Sequence, residues 1–396
     1  MSEILESQIE VSPYALSPNA ETLVYHISDD SSELHLRLPI EALLGSRENG
    51  GTDFEGTLEV FATITSLKNN TTTDTLNYSI LAEIKNDSEG GILYHSKPFA
   101  LSEGSDYKLD IRFTDKTRNT SYYLMKFVKK SNRMDRENFL LRNQMRQIPY
   151  FSSFIDPYDN IEINSTRVNL NQLRFYQRPA ELTLPPPPSS SSQNKLPTLK
   201  EYNLITPIVN QNQVILTDLD VSDLLLKEDN SNGLSFLVRP VGYPEPSSVY
   251  EMIQPLRYIS SRKEFEKMEG SSNLKQALDN FWLNCGDTKE RSKELIAIFY
   301  ARVEESNRFF TSYKSGWRTD RGLINIVFGA PNDLELGEGY EIWTYGDKTD
   351  LGSVQFKFNQ VDNTFGSNTF ELERNPIYKS EWARRVGAWR NGRIYN

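Results

Sequence analysis

The chain has very few of the residues that build metal centres and redox sites. Cys285 is its one cysteine among 396 residues, so neither an intramolecular disulfide nor a cysteine zinc site can form. The three histidines, His26, His35 and His95, fall in segments with a strand pattern and have no ligand-like spacing. The sequence therefore predicts no metal site and no cofactor.

Long hydrophobic runs are also missing. No run of the chain approaches the roughly 18 apolar residues of a membrane-spanning helix. The first residues, Met-Ser-Glu-Ile-Leu-Glu, place acid where a signal peptide has base followed by an apolar stretch. We therefore expect either a cytoplasmic protein or a mature form that lacks its export signal.

Basic residues are fewer than acidic ones. The chain has 44 Lys and Arg against 54 Asp and Glu, for a net charge of −10, which opposes nucleic-acid binding. The tail from 371 to 396 is the exception, with six basic and three acidic residues. It is either a docking patch for an acidic partner, a lipid headgroup or a polysaccharide, or an ordinary solvated helix face. The six basic residues are Arg374, Lys379, Arg384, Arg385, Arg390 and Arg393.

What the chain does have is aromatic residues, 11% of the total, and these can build real cores. Alternation of apolar and polar residues over 58–64, 76–84 and 107–113 predicts antiparallel strands with one buried face. We predict a flexible lead-in over 1–20 and a β-sandwich-like domain over 21–130.

A second β-rich domain is predicted over 131–250. It begins with a charged connector, has a strand candidate at 168–173, and contains a Pro/Ser-rich loop at 184–197. Four consecutive prolines favour an extended conformation and the serines add flexibility. The loop is either a docking motif for a proline-recognising partner or a solvated linker.

The pattern changes after residue 250, where all five tryptophans lie. Helices are predicted at a Ser261–Glu264 capping box, over 288–310 and over 377–391. Strands are predicted at 323–328, 341–345, 354–358 and 369–373. The fold class is therefore multidomain, with antiparallel β-sandwich-like domains followed by an α+β domain over 251–396.

One segment of this last domain carries a dense set of special residues. We call residues 316–322 the signature segment. Six of its residues and two later ones are the candidate site positions: Gly316, Trp317, Thr319, Asp320, Arg321, Gly322, Pro331 and Trp343. We expect a rigid helix-to-strand corner. In it Gly316 takes a backbone conformation closed to other residues, Trp317 is a buried anchor, and Arg321 pairs with Asp320, Asp333 or Glu341.

The alternative is a binding or catalytic site at the same corner. Asp320, Asp333 and Glu341 are the carboxylates from which an acid/base pair for glycoside hydrolysis would come. Cys285 beside a helix start is a weaker candidate, because a cysteine nucleophile usually needs a histidine and all three are remote in sequence.

The motif Gly316-Trp317-Arg318-Thr319-Asp320 and its flanks over 251–396 resemble the GWxTD-domain family, Bacteroidota-type envelope proteins that are often lipoproteins. The resemblance implies a periplasmic or outer-membrane location, with membrane association only through a lipid anchor or a partner. The family has no established enzymatic activity, so it implies a non-catalytic assembly protein that binds outer-membrane or secretion-machinery proteins. The alternatives are a glycan-hydrolysing protein that uses the Asp320 corner and a carbohydrate-binding module.

Overall fold

The computed structural model describes residues 20–44, 54–84, 91–145, 148–179, 184–196, 198–210, 213–227, 233–337, 339–346, 353–361 and 368–394. The predicted lead-in over 1–20 lies, apart from Ala20, outside this described part. Within the described residues, no helix is both long and apolar enough to cross a membrane.

The first domain is a sandwich of two antiparallel sheets with strand orders β1-β2-β5 and β4-β3-β6-β7. Leu34 and Leu36 of one sheet and Val60 and Leu109 of the other share one core because alternate residues of each strand point inward. A 3-10 helix, Ile40–Ala42, follows β2. The strands are β1 Glu21–His26, β2 Ser31–Pro39, β3 Phe54–Ser66, β4 Thr71–Ile84, β5 Ile92–Ala100, β6 Asp106–Asp115 and β7 Thr120–Lys129.

The second region is also built from two sheets, ordered β13-β14-β10-β8 and β12-β11-β15-β16-β9, around a core that contains Phe139, Phe175 and Phe236. Only β9 and β16 pair in parallel among the described strands. The strands are β8 Leu140–Asn143, β9 Phe154–Ile155, β10 Ile161–Asn164, β11 Arg174–Pro179, β12 Asn203–Ile205, β13 Ile208–Asn210, β14 Gln213–Leu216, β15 Ser222–Lys227 and β16 Gly233–Val238. The 3-10 helices are Arg136–Asn138, Leu170–Gln172 and Leu199–Glu201.

The strand predicted at 168–173 is wrong. A 3-10 turn forms at Leu170–Gln172 because the Asn169 side chain accepts a hydrogen bond from the Asn171 amide and caps the turn. Strand β11 follows this turn.

The C-terminal domain combines helices with one antiparallel sheet in the order β17-β18-β19-β20. Its helices are α1 Val249–Ile253, α2 Arg262–Glu269, α3 Leu274–Gly286, α4 Lys289–Phe310, α5 Asp320–Phe328 and α6 Tyr378–Arg390. Its strands are β17 Asp333–Gly337, β18 Tyr340–Tyr345, β19 Val354–Gln360 and β20 Phe370–Leu372. The 3-10 helices Gln254–Tyr258 and Gly316–Arg318 complete it. The predicted fold class is confirmed.

Local sequence accounts for the helix starts. Ser261 accepts from the Glu264 amide and Glu264 accepts from the Ser261 amide, which confirms the predicted capping box of α2. Thr288 caps α4 through the Arg291 amide. The three helices α3, α4 and α6 meet at Trp282, Phe299 and Trp389, whose rings pack edge to face.

The strand predicted at 323–328 is instead part of helix α5, so the expected helix-to-strand corner is a helix-to-helix corner. Every residue of α5 is buried. A segment buried on all sides shows neither strand nor helix periodicity, and its apolar run fits both. The Thr319 cap, whose side chain accepts from the Gly322 amide, determines the helix.

Candidate functional site

The backbone of the signature segment crosses the end of α4 and touches the helix backbone at Ser306. A Cβ on Gly316 would lie 1.8 Å from the Ser306 carbonyl oxygen, and one on Gly322 would lie 2.0 Å from the Gly316 carbonyl oxygen. Neither glycine has a positive φ, so the expectation of a special backbone conformation at Gly316 is wrong. Glycine is needed here because two stretches of backbone touch.

Hydrogen bonds from Asn307 of α4, from Thr311 just after that helix, and from Thr319 hold the crossing in place. The Trp317 amide donates to Asn307 Oδ1 at 3.1 Å, and the Gly316 amide donates to Thr311 Oγ1 at 3.1 Å. The Thr319 hydroxyl donates to the Gly316 carbonyl at 2.7 Å while accepting from Gly322. Trp317 is 7% exposed, so it is the predicted buried anchor. Buried backbone groups need such partners, and here Asn307, Thr311 and Thr319 supply them.

Arg321 pairs with Glu341, one of the three predicted partners. Its Nη1 lies 2.7 Å from Glu341 Oε1, and Glu341 Oε2 accepts from Trp343 Nε1 at 3.0 Å. The guanidinium carbon also lies 4.2 Å from the centre of the Phe370 ring. Arg321, Glu341 and Trp343 therefore fasten α5 to the sheet.

Asp320 is fully enclosed, with no side-chain exposure. Arg374 binds it in a fork, with Nη1 3.1 Å from Oδ2 and Nη2 2.5 Å from Oδ1. Oδ2 also accepts from the Leu372 amide at 2.8 Å and from Asn194 Nδ2 at 2.9 Å. As the first residue of α5, the carboxylate also complements the positive end of that helix.

The Pro/Ser-rich loop lies against this ion pair. Arg374 Nη2 donates to the Pro186 carbonyl at 3.2 Å, and the Asn375 amide donates to the Pro188 carbonyl at 3.1 Å. Together with Asn194, these contacts hold the described part of the loop, 184–196, on the C-terminal domain. The loop is therefore docked within the chain itself, which the linker interpretation did not anticipate.

The acidic and basic side chains around Asp320 are equal in number. Burial raises the pKa of Glu371, and nearby Asp320 raises it further, while Arg374 and Lys314 oppose the shift. Burial lowers the pKa of Lys314 to about 8, and Asp320 and Glu371 counter this. Two carboxylates therefore face two cations, and Asn194 bonds to both acids.

The three carboxylates proposed for acid/base chemistry do not form a pair. Asp320 binds Arg374, Glu341 binds Arg321, and Asp333 lies exposed at the start of β17. Pro331 is half-buried in the turn between α5 and β17. Among the described residues, no three His, Cys, Asp or Glu side chains are placed to hold a metal ion.

Cys285 is buried in the last turn of α3, and not at a helix start. Burial raises the pKa of its thiol, with Arg390 opposing the shift. A thiol held in its protonated form is a poor nucleophile, so the low pKa expected beside a helix start does not arise.

The six basic residues near the C-terminus do not share one surface. Arg374 is enclosed with Asp320, Arg385 is buried beside Phe328, and Arg390 is half-buried and bound to Glu264. The structure thus removes these three from the predicted patch. Only Lys379, Arg384 and Arg393 have the exposure that an interaction would need.

Sequence reasoning missed Asn194, and it placed Arg374 in a basic patch without its pairing to Asp320. Asn194 lies 126 residues before Asp320, and Arg374 lies 54 residues after it. No local pattern marks such a distant partner. Asn307 lies on the buried face of α4, where an amide side chain needs a partner, and it finds one ten residues later in the Trp317 amide.

Residues 224–391 match the family model described as the GWxTD domain. The match begins inside β15, earlier than residue 251. The search of curated proteins found no match.

Among solved structures, a β-glucuronidase from Bacteroides uniformis is 14% identical over 38% of this chain and 15% of its own, with a TM-score of 0.19. A transglutaminase from red sea bream is 11% identical over 60% of this chain and 33% of its own, also with a TM-score of 0.19. This chain therefore spans only a small part of these enzymes, and similarity at this level carries no argument about its fold or activity.

Proposed function

Because the chain is a GWxTD-domain protein, we propose that it is a non-catalytic assembly protein of the bacterial cell envelope, a multidomain scaffold for outer-membrane or secretion-machinery proteins. The observation that carries this proposal is that Asp320 is buried and has all its partners within the chain. Its carboxylate has no exposure and is bound by Arg374, Leu372 and Asn194. The acid of the signature segment is thus occupied by partners within the chain, as expected of a residue that serves the fold.

Contacts between the three regions support a scaffold role. Leu23 and Tyr25 of the first sandwich pack with Leu140 of the second region. Leu225 and Tyr202 of the second region pack with Tyr313 of the C-terminal domain. These apolar clusters join neighbouring regions of the chain, and a scaffold that presents several surfaces needs such contacts between its parts.

The second region also offers an exposed apolar edge. Leu204 is 62% exposed on β12 and Ile208 is 59% exposed on β13. These two consecutive strands are edge strands of the two different sheets. Unpaired edges with exposed apolar side chains are common contact points for other proteins. The envelope location itself rests on the family resemblance.

The test is affinity purification of the tagged, full-length protein from gently solubilised envelopes of its native host, followed by mass spectrometry. An untagged strain is the control. We expect a stoichiometric outer-membrane or secretion-machinery protein to co-purify. If the protein elutes alone, the scaffold proposal fails, and glycan-binding and glycan-hydrolysis assays become the next experiments.

A further inference from the structure

Lys314 is a buried cation beside the enclosed site of Asp320. The residue is 8% exposed, and its Nζ lies 5.5 Å from the centre of the Tyr313 ring. Within the described part of the chain, no hydrogen bond or ion pair reaches this Nζ. A buried ammonium group that stabilises a fold normally has such a partner. A structural role therefore does not account for Lys314.

A carboxamide is held in the same site by two acids. Asn194 Nδ2 lies 2.9 Å from Asp320 Oδ2, and the Asn194 side chain also bonds to Glu371. An ionised carboxylate only accepts hydrogen bonds, so the NH₂ group is the donor to both acids. The carboxamide therefore has a fixed orientation, with its nitrogen beside Glu371.

Two different contacts bring Lys314 to this carboxamide. Leu196, two residues after Asn194, packs against the apolar cluster that contains Tyr313, the residue before Lys314. The charges of both acids that bind the carboxamide also act on the Lys314 ammonium group. The end of the Pro/Ser-rich loop and the Lys314 side chain thus occupy one site.

The surroundings prepare Lys314 and Glu371 for proton transfer. Burial lowers the pKa of Lys314 to about 8, so about a tenth of it is the neutral amine at pH 7. Burial raises the pKa of Glu371, and the charge of Asp320 raises it further. A neutral lysine is a nucleophile, and a carboxylic acid with a raised pKa is a proton donor.

We propose that the Lys314 and Asn194 side chains join in an intramolecular isopeptide bond, which the chain forms by itself with Glu371 as the proton carrier. This covalent modification goes beyond the scaffold function and does not depend on it. It fastens the Pro/Ser-rich loop to the C-terminal domain.

The step is an acyl transfer between two side chains. The lone pair of the neutral Lys314 Nζ attacks Cγ of Asn194 and forms the new Nζ–Cγ bond. Protonated Glu371 donates a proton to Nδ2 and takes one from Nζ, so the Cγ–Nδ2 bond breaks and ammonia leaves. The products are a secondary amide and one molecule of ammonia, and no atom is oxidised or reduced.

The arrangement suits this step at both ends. The nitrogen that leaves Asn194 is the atom that faces Glu371, which must protonate it. The amine that attacks is on a flexible four-carbon side chain whose Nζ no bond holds elsewhere. Asp320 stays bound to Arg374, so it keeps its charge and does not compete for the proton.

Intact-mass spectrometry of the purified full-length protein, after incubation at pH 8, tests the proposal. About half of Lys314 is neutral at this pH. We expect a mass lower than that of the sequence by one ammonia, and a branched peptide that joins the segments of Asn194 and Lys314 after digestion. Glu371→Gln should form the bond at least about tenfold more slowly, because it cannot carry the proton.

Lys314→Arg separates the isopeptide bond from other losses of ammonia. A succinimide formed at an asparagine also releases ammonia, but it produces no branched peptide and is retained in Lys314→Arg. Lys379→Arg and Gln193→Ala are the matched controls, because they change an exposed lysine of the same domain and an exposed carboxamide of the same loop. Both should keep the bond.

The unaltered protein gives the deciding result, so the test does not depend on whether each variant folds. A chain of full sequence mass after incubation at pH 8 overturns the proposal. A loss of ammonia without the branched peptide, or one that persists in Lys314→Arg, overturns it as well. The result is also separate from the co-purification experiment, since bond formation needs no partner.

Discussion

Asp320 and Arg374 form a forked ion pair that is closed off from solvent, with side-chain exposures of 0% and 6%. The pair joins the start of α5 to the chain just after β20, and Asn194 and Pro186 of the Pro/Ser-rich loop bind to it. One ion pair thus fastens a helix, a sheet and a loop from the preceding region.

Removing one partner of this pair should destabilise the protein strongly. We expect Arg374→Gln to lower the free energy of unfolding by about 3–5 kcal/mol, because it leaves Asp320 buried without its cation. Urea denaturation measures the change. Asp320→Asn/Arg374→Gln should cost less than the sum of the two single changes.

The matched control is Arg384→Gln. Arg384 pairs with Glu381 but is 49% exposed, so its loss should cost at most about 1 kcal/mol. Equal effects for Arg374→Gln and Arg384→Gln would contradict the structural role of Asp320.

The two signature glycines should tolerate no side chain. A methyl group on Gly316 or Gly322 meets a backbone oxygen at 1.8 or 2.0 Å, and backbone cannot move aside cheaply. We expect Gly316→Ala and Gly322→Ala each to cost about 3 kcal/mol or more, measured by thermal and urea unfolding.

Gly387 provides the comparison. It lies in helix α6, and nothing lies within 4 Å of a Cβ placed on it. Gly387→Ala should stabilise the protein by about 0.5–1 kcal/mol through helix propensity. Destabilisation at all three glycines would mean that steric contact is not the cause.

Asn194 should determine how firmly the Pro/Ser-rich loop is held. Asn194→Ala removes the hydrogen bond to Asp320, and we expect faster cleavage within 184–196 in limited proteolysis, with little change in overall unfolding. Gln193→Ala is the control, because Gln193 is an exposed carboxamide of the same loop. Identical cleavage rates for the two variants would show that Asn194 does not hold the loop.

His26 should make stability depend on pH. Burial lowers its pKa from 6.5 to about 4, while its bond to the Lys129 carbonyl opposes the shift. Between these values the unfolded chain binds a proton that the folded protein does not. The contribution of His26 to the free energy of unfolding is therefore complete above pH 6.5, and it falls by about 3 kcal/mol as the pH drops to 4.

Urea denaturation at pH 7, 5.5 and 4.5 checks this prediction. The His26→Gln variant should lose part of the pH dependence between 6.5 and 4, whereas His95→Gln, at a less buried position, should lose less. An unchanged pH profile for His26→Gln would rule out its contribution.

The sequence predicts the parts of this fold that have local patterns. Alternation predicts β3, β4 and β6 of the first sandwich, and the capping box at Ser261 and Glu264 predicts the start of α2. Helix α5 was missed because it is buried on every side, so burial left no period to detect. The partners of Asp320 could not be predicted, because Asn194 and Arg374 are distant from it in sequence. Only the folded chain brings such groups together.

The most direct test of a structural role for the signature is native-state hydrogen exchange of Asp320→Asn against the unaltered protein. The Leu372 amide bonds to Asp320, and the Asn375 amide bonds to the Pro188 carbonyl. We predict that both amides lose protection in the variant, while the amides of β3 and β6 in the first sandwich keep theirs. If Leu372 and Asn375 exchange at unchanged rates, Asp320 does not hold this site together, and the account is contradicted.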